Sequence, residues 1–146
     1  MRRIETHWLL SHPPHEVWAV LVDFNAYADW NPLNVWAQGS ARQGARVAMK
    51  FTNPGRPGAV IAQDVIITEF VPERRLEWVG RIPLLFTGRH YFRLDAVQAG
   101  TGLVHGECLS GLVPAFWSPA RLEAQRAAYE RMNQALERHL NELAKH

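Results

Sequence analysis

The chain carries a single cysteine, Cys108, which excludes an intrachain disulfide and any cysteine-based zinc cluster and fits a reducing compartment. Long apolar runs are missing too. The N-terminal MRRIETHWLLSHPP has basic residues but no signal-like apolar stretch, because Glu5, His7 and Ser11 interrupt it. The nearest uninterrupted run, VWAVLV, is six residues long, far short of the ~20 that span a bilayer. These features predict a cytoplasmic protein without stable membrane insertion. The arginines are scattered and no basic stripe interleaved with aromatics appears, so nucleic acid is not an expected partner. There are no repeats or low-complexity tracts. The glycines of GTG and GRPG are turn signals, because no strand–glycine–helix unit surrounds them to cradle phosphate. Ser110 and Cys108 sit on no strand-to-helix elbow, so no nucleophile constellation stands out.

What remains is an ordinary globule: 146 residues, 47% hydrophobic, 21% charged, with a formal net charge of +2. That length suits one domain, 1–146, with a core that needs no staples. Arg2 to Leu10 is rich in strand formers. Pro14 fits the first position of a helix and Glu16 its first turn, and Val17, Trp18, Leu21 and Val22 form the apolar stripe. DFNAYADW predicts a second short helix, stopped by Asn31-Pro32, with Asp23 capping a turn locally. Strand-like segments follow, punctuated by Arg42 to Gly44, by the loop Asn53 to Gly58, by PERR and by a tight turn at Gln98 to Gly100. They amount to six or seven antiparallel strands after the two short helices.

The last element is the plainest. Ser118 is a good N-cap and Pro119 suits the first helical position. Leu122, Gln125, Tyr129, Met132, Leu136, Leu140 and Leu143 then recur at spacings of three and four. The spacing predicts one amphipathic helix of about 25 residues, roughly 38 Å long at 1.5 Å per residue. Its stripe must lie on the sheet.

Several stretches are similar to a known family. HPPHEVWAVLVDFNAYADWNP resembles the opening signature of the START-like (SRPBCC) superfamily, in its polyketide cyclase/dehydrase and lipid-transport-like branch, through Pro14, Val17-Trp18, Leu21, Asp23, Tyr27 and Trp30-Asn31-Pro32. PERRLEWVG, TGRHYFRL and GTGLVHGECLSG match further along, so the resemblance covers essentially the entire chain. It implies an α+β helix-grip fold: a curved antiparallel sheet of six or seven strands wrapped around the long C-terminal helix, with two short helices after strand 1. It also implies a cavity between sheet and helix. Its motifs specify the fold and not a ligand, because the superfamily uses one cavity for many small molecules.

Alternation assigns the inner face of the sheet. His90, Phe92 and Leu94 point inward, and Arg89, Tyr91, Arg93 and Asp95 outward. Leu103, His105, Glu107 and Leu109 share the inner face. A turn centred on Ala99-Gly100 sets Leu94 opposite His105, Phe92 opposite Glu107 and His90 opposite Leu109. Leu76, Trp78 and Gly80 extend the surface, Trp36 and Phe86 are assigned to its lining, and the helix supplies Gln125, Tyr129 and Met132. Tyr27 and Trp30 are placed with the Asn53 to Gly58 loop at the mouth, although the stretch reads mostly as packing, with Trp18, Phe24 and Trp30 assigned to core more than to ligand contact. The candidate ligand contacts are therefore Tyr27, Trp30, Trp36, Trp78, Phe86, His90, Phe92, His105, Glu107, Leu109, Tyr129 and Met132, with Leu140 and Leu143 only packing. A few polar groups on an apolar wall are the usual makeup of a small-molecule pocket.

No metal or cofactor is expected. In that register His90 and His105 lie roughly 13 Å apart at 3.3 Å per residue, too far to share an ion held at ~2 Å. Pro13-Pro14 separates His12 from His15. Three functions fit: binding of a hydrophobic or aromatic small molecule (a lipid, polyketide or isoprenoid) by a monomer or weak homodimer; an aromatase/cyclase-like enzyme with His105 or Glu107 as general acid or base; or a protein-interaction module presenting Trp8, Trp36 and the Phe116-Trp117 tip. That tip suits an apolar lip, a membrane-touching edge or a staple for the helix.

Overall fold

The computed structural model describes residues 1–146 and contains seven strands. Strand β1 (Arg2–Leu10) is followed by helix α1 (Pro14–Leu21), a 3₁₀ turn (Phe24–Ala26) and helix α2 (Tyr27–Trp30). Strands β2 (Asn34–Gln38), β3 (Arg46–Thr52), β4 (Val60–Val71), β5 (Arg75–Ile82), β6 (Phe86–Val97) and β7 (Gly100–Ser110) come next. Helices α3 (Leu112–Ala115) and α4 (Pro119–Ala144) close the chain. All strand pairings are antiparallel, in the order β1-β7-β6-β5-β4-β3-β2. The first strand thus joins the last, and a seven-stranded sheet wraps the long helix as the helix-grip reading required.

Local chemistry explains the ends of the helices. Pro14 opens α1, where its missing N–H has no partner to lose. The Ser118 hydroxyl accepts from the Arg121 amide at 3.1 Å and caps α4. Asp23 makes no capping bond; Asn31 does the local work instead, its Oδ1 accepting from the amides of Leu33 and Asn34 at 2.9 Å each. No helix is long and apolar enough to cross a membrane.

One core unites sheet and helices. Leu10, Val17, Leu21, Phe24, Tyr27, Trp78, Phe92, Leu103, Leu109, Tyr129, Met132, Leu136 and Leu140 are buried in it. The stripe on α4 ends earlier than its spacing predicts: Leu140 is buried, but Leu143 is 52% exposed because the helix runs past the edge of the core.

The β6–β7 hairpin corrects the expected register. Its turn is Gln98-Ala99, with Val97 opposite Gly100. Moving the turn centre by one residue moves every cross-strand partner by two. The inward and outward faces therefore survive, but Phe92 now opposes His105, His90 opposes Glu107, and Gly88 opposes Leu109.

Candidate functional site

The sheet and the first half of α4 enclose a cavity of about 530 Å³. Its wall is largely apolar: Leu33, Phe51, Ile61, Val65, Trp78, Ile82, Leu85, Phe86, Val113 and Trp117. Apart from Arg56, Gln63 and His90, its polar groups follow one line from mouth to floor. Arg121 donates to Asn53 Oδ1 at 3.1 Å and to Gln125 Oε1 at 2.8 Å. Gln125 Nε2 donates to the Tyr129 hydroxyl at 3.4 Å, and that hydroxyl donates to Glu107 Oε1. The helix makes this line possible, since 121, 125 and 129 fall on one face at spacings of four.

Two features set the floor. Gly88 leaves room for the Glu107 carboxyl; a Cβ there would lie 2.5 Å from Oε2. Burial with no cation alongside pushes the Glu107 carboxyl up to about 8, so it is mostly a neutral acid at pH 7. Behind it stands a stack of rings. His105 lies parallel to Tyr129 at 4.8 Å and stacks on Phe92 at 4.5 Å, while His90 stacks on Trp78 at 4.9 Å. The two imidazoles meet, with Nε2 to Nε2 at 2.7 Å. Desolvation pulls His90 well below its ordinary value, with His105 adding to the effect, and pulls His105 down to about 4 against an opposing bond from Asn133. Both are neutral.

This contact overturns the expected 13 Å separation. In the observed register the pair is diagonal across neighbouring strands rather than four residues apart, and the rings lean together. No group of three or more His, Cys, Asp or Glu side chains is arranged to hold a metal ion.

Of the twelve expected contacts, Trp78, Phe86, His90, Glu107 and Tyr129 line the cavity. Phe92, His105, Leu109 and Met132 face the right way but lie behind the lining as buried core. The cavity occupies only the N-terminal half of the stripe on α4, and Met132 lies past its floor. Tyr27 and Trp30 are not at the mouth. Tyr27 is wholly buried, its hydroxyl donating to the Leu21 carbonyl at 2.6 Å, and Trp30 stacks on His139 at 5.7 Å. They plug the opposite end. Trp36 faces out beneath the Lys50 ammonium, 5.2 Å from its ring, because an irregularity between Asn34 and Trp36 breaks the alternation of β2.

The Asn53 to Gly58 loop does border the mouth, through Asn53, Gly55 and Arg56. Trp117 lines the mouth under the Arg121 guanidinium, 4.1 Å from the ring centre, whereas Phe116 is 85% exposed. Leu84, Leu85, Leu112 and Val113 are exposed near it, joined by the Leu112-to-Leu84 and Val113-to-Leu85 backbone bonds. Of the aromatics suited to partner binding, Trp8 instead donates to Glu137 at 2.6 Å. Sequence reasoning missed Asn133, which hydrogen-bonds His105; an amide four residues after Tyr129, beside the buried stripe, was its signal.

The sequence matches the family described as polyketide cyclase / dehydrase and lipid transport over residues 1–146. The chain belongs to that family. No curated protein sequence matches it. Among solved structures it is similar to a START superfamily protein from Mycobacterium smegmatis, with TM-score 0.80 and 14% identity over 97% of this chain and 98% of that one. It is also similar to a protein from Mesorhizobium loti, with TM-score 0.75 and 18% identity over 97% and 98%. A third is the Zhui aromatase/cyclase of a Streptomyces species, with TM-score 0.70 and 22% identity over 99% and 93%. At these identities the likeness shows the fold, and the family together with the fold suggests binding of a hydrophobic ligand or a cyclase-like role.

Proposed function

We propose that this family member binds a hydrophobic or aromatic small molecule, of lipid, polyketide or isoprenoid kind, between the sheet and α4. The observation that carries the reading is a largely apolar cavity of about 530 Å³ with few polar groups: the line from Arg121 to Glu107, His90 at the floor, Gln63 on the wall, and Asn53 and Arg56 at the mouth. That volume lies within the ~300–1,000 Å³ of drug-sized ligand sites. The exposed apolar residues around the mouth offer such a molecule a path in. Native mass spectrometry and solvent extraction of the purified protein are expected to release a bound apolar molecule. A fluorescent hydrophobic probe is expected to bind the emptied protein with one-to-one stoichiometry; no ligand and no probe uptake would sink the reading.

Two tryptophan substitutions place the site. Gln125 lines the cavity, so Gln125→Trp is expected to fill open space, keep the fold and cut probe affinity at least ten-fold. Met132 is 1% exposed and outside the lining, so Met132→Trp is expected to overpack the core. It should cost about 1–3 kcal/mol and leave affinity within about two-fold in the folded protein. Thermal melts and probe titration measure both; loss of binding in Met132→Trp alone would move the pocket down the helix.

One observation favours a second, enzymatic reading: Glu107 and His90 oppose each other across β6 and β7, and both reach the cavity. A neutral carboxylic acid beside an imidazole can protonate a carbonyl oxygen while accepting a proton elsewhere, as an aromatase/cyclase-like reaction needs. His105, the other candidate, acts only through His90. Glu107→Gln is expected to abolish turnover of any confirmed substrate while keeping its affinity, and surviving turnover would remove Glu107 from the role.

A further inference from the structure

The two imidazoles belong to a hydrogen-bond chain whose proton positions can be worked out from its far end. The Thr6 hydroxyl donates its single hydrogen to the His105 carbonyl at 2.8 Å. Its oxygen can therefore only accept from Asn133, which it does from Nδ2 at 2.9 Å. That turns Asn133 Oδ1 towards His105 Nδ1 at 2.7 Å. An amide oxygen only accepts, so His105 carries its hydrogen on Nδ1 and presents a bare Nε2. His90 Nε2, 2.7 Å away, must then be the donor. A neutral imidazole has one hydrogen, so His90 Nδ1 is a lone pair. It has no protein partner, His90 lines the cavity, and Nδ1 is absent from the sealed polar atoms that lack a bond.

Three buried residues on three elements, Thr6 of β1, His105 of β7 and Asn133 of α4, thus hold one acceptor nitrogen of β6 towards the cavity. Such a chain rigidifies the core where its members are satisfied and makes any member left unpaired costly. Opposite His90 stands Glu107, whose Oε1 takes the Tyr129 hydrogen and whose Oε2 lies over Gly88 at the wall. Residues paired across neighbouring strands have Cβ atoms about 4.5–5.5 Å apart, so one small group can reach both.

We propose that the floor selects a neutral ligand with a hydroxyl group, phenol or alcohol, at its buried end, donating its hydrogen to His90 Nδ1 and accepting from Glu107 Oε2. This rests on the cavity-binding reading above. A carboxylate fits poorly there. It would face a nitrogen lone pair, a carboxyl group and ring faces, and the one arginine of the polar line, Arg121, is two helical turns away near the mouth. An ether or hydrocarbon would leave the His90 acceptor dry and unpaired.

The test is titration of the ligand-free protein at pH 7 with 2-naphthol, 2-methoxynaphthalene and 2-naphthoate. 2-Naphthol is expected to bind about ten-fold tighter than its methyl ether, the worth of one buried acceptor left unsatisfied, and tighter still than the carboxylate. His90→Phe is expected to bring naphthol and ether within about two-fold while keeping ether affinity. Should that variant not fold, long-range ¹⁵N–¹H spectra of the unaltered protein give a second readout: hydrogen on Nε2 of His90 and on Nδ1 of His105. Equal affinity for naphthol and ether, preference for naphthoate, or hydrogen on His90 Nδ1 would each overturn the selection and leave the cavity reading standing. Binding of none of the three would count against the cavity reading itself, and the inference with it.

Discussion

Replacing Glu107 by Gln is expected to stabilise the protein by about 2 kcal/mol at pH 9 relative to pH 6.5, and to change which way stability runs with pH. A carboxyl held at about 8 in the folded chain, against about 4.5 when unfolded, keeps its proton in the native state after the unfolded state has lost it. Stability from this group is complete below pH 4.5 and falls as pH rises towards 8. At 1.36 kcal/mol per unit, the part falling between pH 6.5 and 9 is about 2 kcal/mol. The histidines have the opposite sign. His90 and His105 are depressed below 6.5, so they stabilise above that pH and withdraw their contribution as pH falls towards 4. The three groups together place maximal stability near pH 6.5, with a decline on either side.

Glu107→Gln keeps the shape of the side chain and the acceptor for Tyr129, so only the Glu107 contribution should go: the rise below pH 6.5 steepens, the alkaline decline vanishes, and the variant reaches a plateau above pH 7. Denaturant unfolding of both proteins from pH 5 to 9 measures this. Parallel curves would mean that water entering the cavity solvates the carboxylate and that its proton leaves near the usual carboxylate range.

The architecture was legible in the sequence because its longest elements carry plain signals. For α4 these are the Ser118-Pro119 start and the stripe at spacings of three and four. For β6 and β7 they are clean alternations that assign every inner residue to the face it occupies. The turn between them carried a weaker signal. Two-residue hairpins favour glycine or asparagine in the turn itself, whereas here Gln98-Ala99 turns and Gly100, at φ +144°, follows. Centring the turn on the glycine shifts each partner by two and separates the two histidines by four residues.

The cavity's position was hidden for a different reason. Tyr129 and Met132 read alike on a helix stripe, and which of them meets empty space depends on how far the sheet curls. Trp36 was lost to a local irregularity that no periodicity announces. The rings of the opening stretch, Tyr27 and Trp30, have a clear chemistry and an ambiguous address; only the packed fold puts them at the closed end.

That closed end and the cavity meet at Trp78, and truncating it to Ala is expected to cost about 3–5 kcal/mol. Trp78 is 1% exposed. One edge of its ring meets Phe24 of the 3₁₀ turn at 6.1 Å, one face stacks on His90 at 4.9 Å, and Phe92 packs at 5.5 Å. It therefore joins the plug, the ring stack and the cavity wall. The alanine variant loses the ring's burial and its aromatic pairs together, and for a chain of this length the melting temperature should fall on the order of 10 °C. The void adjoins the existing cavity instead of forming a sealed hole, so water or a ligand can enter it. The cost should sit towards the lower end of the range, and a probe with one more fused ring should bind the variant relatively better than the unaltered protein. Thermal melts with and without such a probe separate the two effects. A loss below about 1 kcal/mol would show that Trp78 only lines the cavity and does not tie the plug to the sheet.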